Sequence, residues 1–361
     1  MDEINHNAVR KKRIPFVALA MLSLIGGLFA GLQRIGWSIP VGAIAASHGA
    51  IMIGGFLGTL ISLEKIIPLK RRTLYAIPIV SGTSVILFFL KMPVFSIVAL
   101  LIASAGLSIV FILYWIRERS VIYSMMFTGA ACWFTGNLML LTTDFYPSAI
   151  PWWMAFVLLI ITAERLELMK FLPVSKTQKS LFTALLGIYL VGCVLTFHGI
   201  GSYIAAFALV AASLWLMRYD VVGINLKKNG LPKYVGVALL SGYFSLLVCG
   251  LVLPALGDQP LGYDAIIHSF FIGFVFSMIF AHGPIILPGV LGTGAKPFHP
   301  ILYLWLIMLH GSWIIRTIAD VTLDMQVRRY AGLASAVAIL GYVLSMMAIL
   351  VRYLRRQSVN S

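Results

Sequence analysis

The sequence predicts an all-α integral membrane protein, a bundle of about twelve transmembrane helices with both termini in the cytoplasm. Three observations predict it. Hydrophobic residues make up 60% of the 361-residue chain, charged residues 11%, and mean hydropathy is +0.98. A soluble domain carries about 25% charged residues, so the surface of this chain has to face lipid. Twelve apolar stretches are long enough to cross a bilayer core, which takes about 20 helical residues. The basic residues fall where the positive-inside rule puts them.

Taken in order, the basic start "VRKKR" runs into the first stretch, 14–33, without an A-x-A-like cleavage site, so it reads as a retained span. Span 2 covers 40–63. Spans 3 (73–90) and 4 (93–115) are separated only by "KMP", a tight hairpin. Spans 5 to 8 occupy 121–143, 150–170, 180–199 and 201–218, and spans 9 to 12 occupy 233–256, 264–288, 300–319 and 330–352. No long soluble domain and no internal repeat interrupts the series. Residues 1–13 are therefore read as a cytoplasmic basic tail, 14–353 as one polytopic membrane domain and 354–361 as a cytoplasmic tail.

With the N-terminus inside, twenty-two Lys and Arg lie on the cytoplasmic side, and Arg34, Lys91, Arg316, Arg328 and Arg329 lie outside. The net charge of +15 is then a consequence of topology and contact with anionic lipid, not a nucleic-acid surface. The location that follows is a cell membrane crossed many times, the cytoplasmic membrane in a bacterium. Cys132, Cys193 and Cys249 lie inside apolar stretches with no C-x-x-C or C-x-x-C-H spacing. That excludes covalent c-type haem and a zinc ribbon.

The histidines carry the chemistry. His6, His198 and His299 sit in the tail or at helix ends, where water satisfies them. His48, His268, His282 and His310 lie within spans, where an ionisable residue is expensive unless something binds it. His48, in "AASHGAIMIGG", is about 12 Å from the outer end of span 2, and His268 about 6 Å from the outer end of span 10, at 1.5 Å per residue. Two imidazoles at similar depth on two helices suit the two faces of one haem. Gly42, Gly49, Gly54, Gly55 and Gly58 crowd span 2, and small residues let a helix or a flat ring come close.

The string "HGAIM" resembles the second helix of the haem-copper oxidase catalytic subunit, where a histidine followed by Gly and Met ligates the low-spin haem. In that superfamily the other ligand comes from the tenth of twelve helices, and here the tenth span reads "DAIIHSFFIGFVFSMIFAHGPIILPGVLG". Its "HSFFIGFVFSMIFAH" is also similar to the NnrS family, twelve-span haem proteins related to the oxidases and linked to the nitric oxide response. The resemblance implies a haem-copper-oxidase-like helix arrangement and a b-type haem, with His48 and His268 as its ligands. It does not extend to oxygen reduction. Span 6 has no histidine, span 7 has only His198 near its end, and span 10 has no H-x-H, so the copper site and a high-spin haem have no ligands of the oxidase type.

Haem propionates favour arginine forks. Arg34, in "LQRIGW", and Arg316, late in span 11, are the cofactor-binding candidates, with Arg328 and Arg329 on the same side. Asp320, four residues after Arg316, is placed to hold it. The inner half has His282, His310, Glu64 and "TAERLEL", with Glu164, Arg165 and Glu167. Three readings stay open there. His282 and His310 bind a second haem or metal. Alternatively, His282 and Glu164 handle the protons of a quinol. In the third, Arg165 pairs with Glu164 or Glu167 while His282 caps a helix before Pro284. "GVLGTGAKP" contains G-x-x-G-x-G but follows no strand, so a phosphate loop is not expected.

Three functions compete. The first is a b-type haem protein that carries electrons, with quinol and a redox protein as partners, or that serves the nitric oxide response. The second is a secondary transporter using Glu164, Arg165 and Glu167 as a relay. The third is a membrane subunit whose histidines only pack. Histidines at matched depth on the two helices the superfamily uses favour the first.

Overall fold

A computed structural model describes residues 2–40, 44–257 and 259–359, with side chains from residue 13 to residue 355. Gly42 and most of the charged tails lie outside that description. The described residues form helices and no strand. Twelve of these helices are long: α1 (Asp2–Arg34), α2 (Ala45–Leu69), α3 (Ala76–Phe89), α4 (Pro93–Arg117), α5 (Val121–Thr143), α6 (Tyr146–Leu168), α7 (Lys176–Val194), α8 (Ile200–Tyr219), α9 (Leu231–Leu256), α10 (Gly262–Val290), α11 (Ile301–Thr322) and α12 (Met325–Val359).

Among the described residues, eleven helices are long and apolar enough to cross a membrane. The twelfth, α5, has the length, at 23 residues, but its Gly, Ser and Thr residues and Asn137 dilute its hydropathy. Asn137 is fully buried and saturated. Its Nδ2 donates to Leu100 O at 3.1 Å and to Ser104 Oγ at 3.3 Å, and its Oδ1 accepts from Trp153 Nε1 at 3.1 Å. Burial of a polar side chain is tolerated where every bond is made.

The chain divides into two compact units, Met1–Glu164 with Val290–Gly292, and Arg165–Gly289 with Thr293–Ser361. In the first, α2 packs on α1 and α3, and α3, α4 and α5 follow one another as neighbours. Its core holds Trp133, Trp153, Phe56, Phe111 and Phe156, with Trp133 and Phe156 stacked at 4.9 Å. In the second, α9 packs on α8 and α10, α7 on α8, and α11 on α10 and α12. Phe280 and Tyr342 stack at 3.8 Å, and the Tyr342 hydroxyl donates to Phe280 O at 2.9 Å. Outward faces are apolar too. Ile102, Ile109 and Ile116 recur every seven residues on the exposed side of α4, opposite buried Leu100, Ala103, Leu107 and Val110. A helix that is apolar all round belongs in lipid.

Local signals account for the helix ends. Ser175 and Gln178 form a reciprocal capping box at the start of α7. Pro93 and Pro232 sit in the first turns of α4 and α9, where the missing N–H costs nothing. The seventh apolar stretch stops short of its expected end. Thr196 and Gly199 take positive φ, so α7 ends at Val194 and His198 is exposed in the turn.

Close packing in the first unit rests on the glycines of α2. A methyl on Gly58 would lie 2.5 Å from the Trp133 ring, and one on Gly54 would lie 2.5 Å from Leu100. Gly58→Ala is expected to cost about 1–3 kcal/mol, since a buried indole cannot move aside. Gly187→Ala in α7 meets no atom within 4 Å and is expected to be neutral or slightly stabilising. Thermal unfolding of both variants in detergent checks the difference.

Candidate functional site

His48 opens the regular part of α2 in the first unit. Its Nδ1 lies 2.7 Å from Gly27 O of α1. A carbonyl can only accept, so Nδ1 carries the proton and Nε2 carries the lone pair. The ring lies over α1 where Gly31 leaves room, since a methyl there would come within 2.7 Å of the imidazole. Gly27 similarly admits the Met52 sulfur. The glycines that receive the histidine are thus on α1. Those of α2 serve other contacts: Gly49 faces Trp153 and Tyr146, Gly54 faces Leu100, Gly55 faces Ser23, and Gly58 faces Trp133. The α2 glycines thus let neighbouring helices come close.

His268 occupies the corresponding local position in the second unit. Its Nδ1 lies 2.8 Å from Asp264 O, which again fixes the proton on Nδ1. The Asp264 carboxylate is 3.4 Å from the same nitrogen. Asp264 Oδ2 accepts from Arg316 Nε at 3.1 Å and Nη2 at 2.8 Å, and Oδ1 pairs with Arg328 at 3.1 Å. Arg328 Nε also donates to Asp320 at 2.8 Å. Arg316 is therefore clasped by Asp264 and not by Asp320, and its fork is engaged by a protein carboxylate. Arg34 ends α1 and makes no ion pair among the described residues. Asp264 escaped sequence reasoning although it stands four residues before His268, the spacing that puts two side chains on one helix face.

Each of the two histidines is followed by eight residues of π-helix, Ile51–Gly58 after His48 and Ser269–Phe276 after His268. Most π-helices are single-turn bulges, and they concentrate at functional sites. The wider turn also changes the phase of α10. Fourteen residues from His268 to His282 no longer add up to whole α turns, so the two side chains do not share the face expected from α periodicity.

The inner residues are placed as follows. His282 is inside α10, with Nδ1 donating to Met278 O at 2.6 Å, and the helix runs on through Pro284 and Pro288. It is not a cap. His310 lies between two hydroxyls, with Nε2 3.1 Å from Ser277 Oγ and Nδ1 3.4 Å from Ser245 Oγ. Ser277 gives its proton to Ala238 O at 2.7 Å, so His310 Nε2 is the donor. Ser245 gives its own proton to Ser241 O at 3.0 Å, so Nδ1 of the neutral ring keeps its lone pair, 3.4 Å from that hydroxyl. No group of three His, Cys, Asp or Glu that could hold a metal ion occurs among the described residues.

Glu164, Arg165 and Glu167 part company. Glu164 pairs with Lys65 at 2.6 Å, beside Glu64 at 2.9 Å. Glu167 faces Lys170 at 3.9 Å in an exposed pair. Arg165 is buried against Asp220 at 3.6 Å, and Tyr243 donates to the same carboxylate oxygen. The pairing of Arg165 with Glu164 or Glu167 is thereby corrected.

A family match covers the chain from residue 13 to residue 351. The chain belongs to the family described as Domain of unknown function (DUF8744). The match takes in both histidine positions, the Asp264 cluster and all of α2 to α11. No curated protein matches the chain.

Proposed function

We propose that this chain is a multi-pass cell-membrane haem protein of twelve spans, with cytoplasmic termini and a haem-copper-oxidase-like arrangement. His48 and His268 would hold one b-type haem near the outer face. The observation that carries this reading is the common state of the two histidines, each placed just ahead of an eight-residue π-helical segment. Each gives its Nδ1 proton to a backbone carbonyl and keeps its lone pair on Nε2, as a metal-ligating histidine requires. Each histidine, within its own unit, is suited to hold such a group. Gly27 and Gly31 seat the His48 ring from behind, and Asp264 seats the His268 ring. Of the two cofactor-binding arginines, Arg34 is the one placed for a propionate, because Arg316 is held by Asp264.

When bound, a haem would supply one-electron chemistry. His48 and His268 would be the residues that hold the group, each through Nε2. That favours electron transfer, with a quinol or a redox protein as partner, over binding of nitric oxide, which would have to displace a ligand. Partial burial of the two histidines and the charged groups beside His268 would tune the potential. The transporter reading is less favoured, since Glu164, Arg165 and Glu167 each pair with a different residue and form no relay.

A pyridine haemochrome assay with metal analysis tests the proposal. Protein purified from haem-replete cells is expected to show haem b at one per chain, with a Soret band and a sharp reduced α-band. A colourless, iron-free preparation overturns it.

A further inference from the structure

Beneath His268 lies an assembly whose parts have no reason to be there for packing alone. Asp264, on the same helix, places a carboxylate oxygen 3.4 Å from His268 Nδ1. Two arginines from two other helices converge on it, Arg316 from α11 with two bonds to one oxygen and Arg328 from α12 on the other. Asp320 takes the second face of Arg328. The two acids and two bases balance, so the cluster adds no net charge. The side chains of Arg316 and Asp320 are almost fully buried, and those of Arg328 and Asp264 largely so. Charges removed from water in this way are expensive unless each is matched by hydrogen bonds. Here both oxygens of Asp264 are used, and the carboxylate is held against one nitrogen of one imidazole.

We propose that Asp264, clamped by Arg316 and Arg328, is the positioning residue that sets the electron-donor strength of His268 toward the haem iron. This rests on the reading of His268 as a ligand. A carboxylate beside the distal N–H of a metal-bound imidazole draws on that proton and makes the opposite nitrogen more basic, which raises ligand strength and stabilises the higher oxidation state. The backbone carbonyl of the same residue fixes the tautomer, while the carboxylate supplies the charge. The two arginines limit how strongly that charge is felt, since their own charges lie next to it. The same clamp assigns the arginines a role different from propionate binding, because a guanidinium fork can bind one carboxylate bidentately at a time.

The test is a redox titration of the purified haem-loaded protein in detergent, with haem content measured alongside. Asp264→Asn keeps the shape and removes the negative charge, so the midpoint potential is expected to rise. Arg328→Gln keeps Asp264 and removes a neighbouring positive charge, so the potential is expected to fall. Both variants are expected to retain low-spin absorption at full haem content. Opposite shifts are the signature of charge acting on the iron. Shifts of the same sign, no shift in either variant, or loss of haem from both overturn the proposal while leaving His268 as a ligand. A wild-type protein without haem overturns this proposal and the haem reading together.

Discussion

Alanine at either His48 or His268 is expected to abolish the low-spin haem spectrum, while His198→Ala and His310→Ala leave it intact. The contrast follows from where each imidazole hydrogen sits. In His48 and His268 the backbone takes the Nδ1 proton and Nε2 keeps its lone pair. His310 is bracketed by Ser277 and Ser245, and His198 lies exposed in a turn. Loss of a ligand must be separated from loss of fold. The ring of His48 fills space above Gly31, so His48→Ala opens a cavity that free imidazole can enter. Recovery of the low-spin bands on adding imidazole is the expected result, read by absorption on protein that stays monodisperse. An alanine variant at position 48 or 268 that keeps its low-spin bands without added imidazole would remove that residue from the ligand set.

The placement of the helices was largely legible from apolar runs, because a membrane interior demands about 20 consecutive apolar residues whatever the tertiary contacts. All twelve runs correspond to long helices, and their ends moved where local backbone chemistry decided. Thr196 and Gly199 shortened α7, and α10 continued past Pro284 and Pro288. The π-helical segments were not legible. Nothing in "IMIGGFLG" or "SFFIGFVF" departs from an ordinary apolar helix, and the wider turn is chosen by neighbours distant in sequence. Of the candidate site, His48 and His268 were legible as ionisable residues within apolar stretches of sequence. Their supports were not. Gly27, Gly31, Arg328 and the partner of Arg316 depend on which helix lies beside which, and sequence spacing offered only Asp320 for Arg316. The same limit explains Arg165. Its neighbours in sequence suggested Glu164 or Glu167, but side chains one or two residues apart on a helix point in different directions, and the partner came from the end of α8.

That buried partner carries the second large effect. Arg165→Gln is expected to destabilise the second unit by about 3–5 kcal/mol, because it leaves the Asp220 carboxylate charged and enclosed. The Asp220 side chain is fully buried and that of Arg165 is 3% exposed. Their charged atoms are 3.6 Å apart, so the pair acts through charge more than through a hydrogen bond. The remaining bonds cannot replace the cation. Val221 N–H donates to Oδ1 at 2.7 Å and the Tyr243 hydroxyl donates to Oδ2, and both are neutral donors. Asp220→Asn strands the guanidinium in the same way and is expected to cost a similar amount. The double variant Arg165→Gln with Asp220→Asn leaves no buried charge, so its loss is expected to be well below the sum of the single losses, a coupling of the kind seen for residues in direct contact. Glu164→Gln is the control, since Lys65 keeps Glu64 at 2.9 Å and sheds little. Unfolding in detergent micelles, followed by intrinsic fluorescence for the wild type and the four variants, measures the cycle. Strictly additive losses at positions 165 and 220 would show that the two charges do not depend on one another.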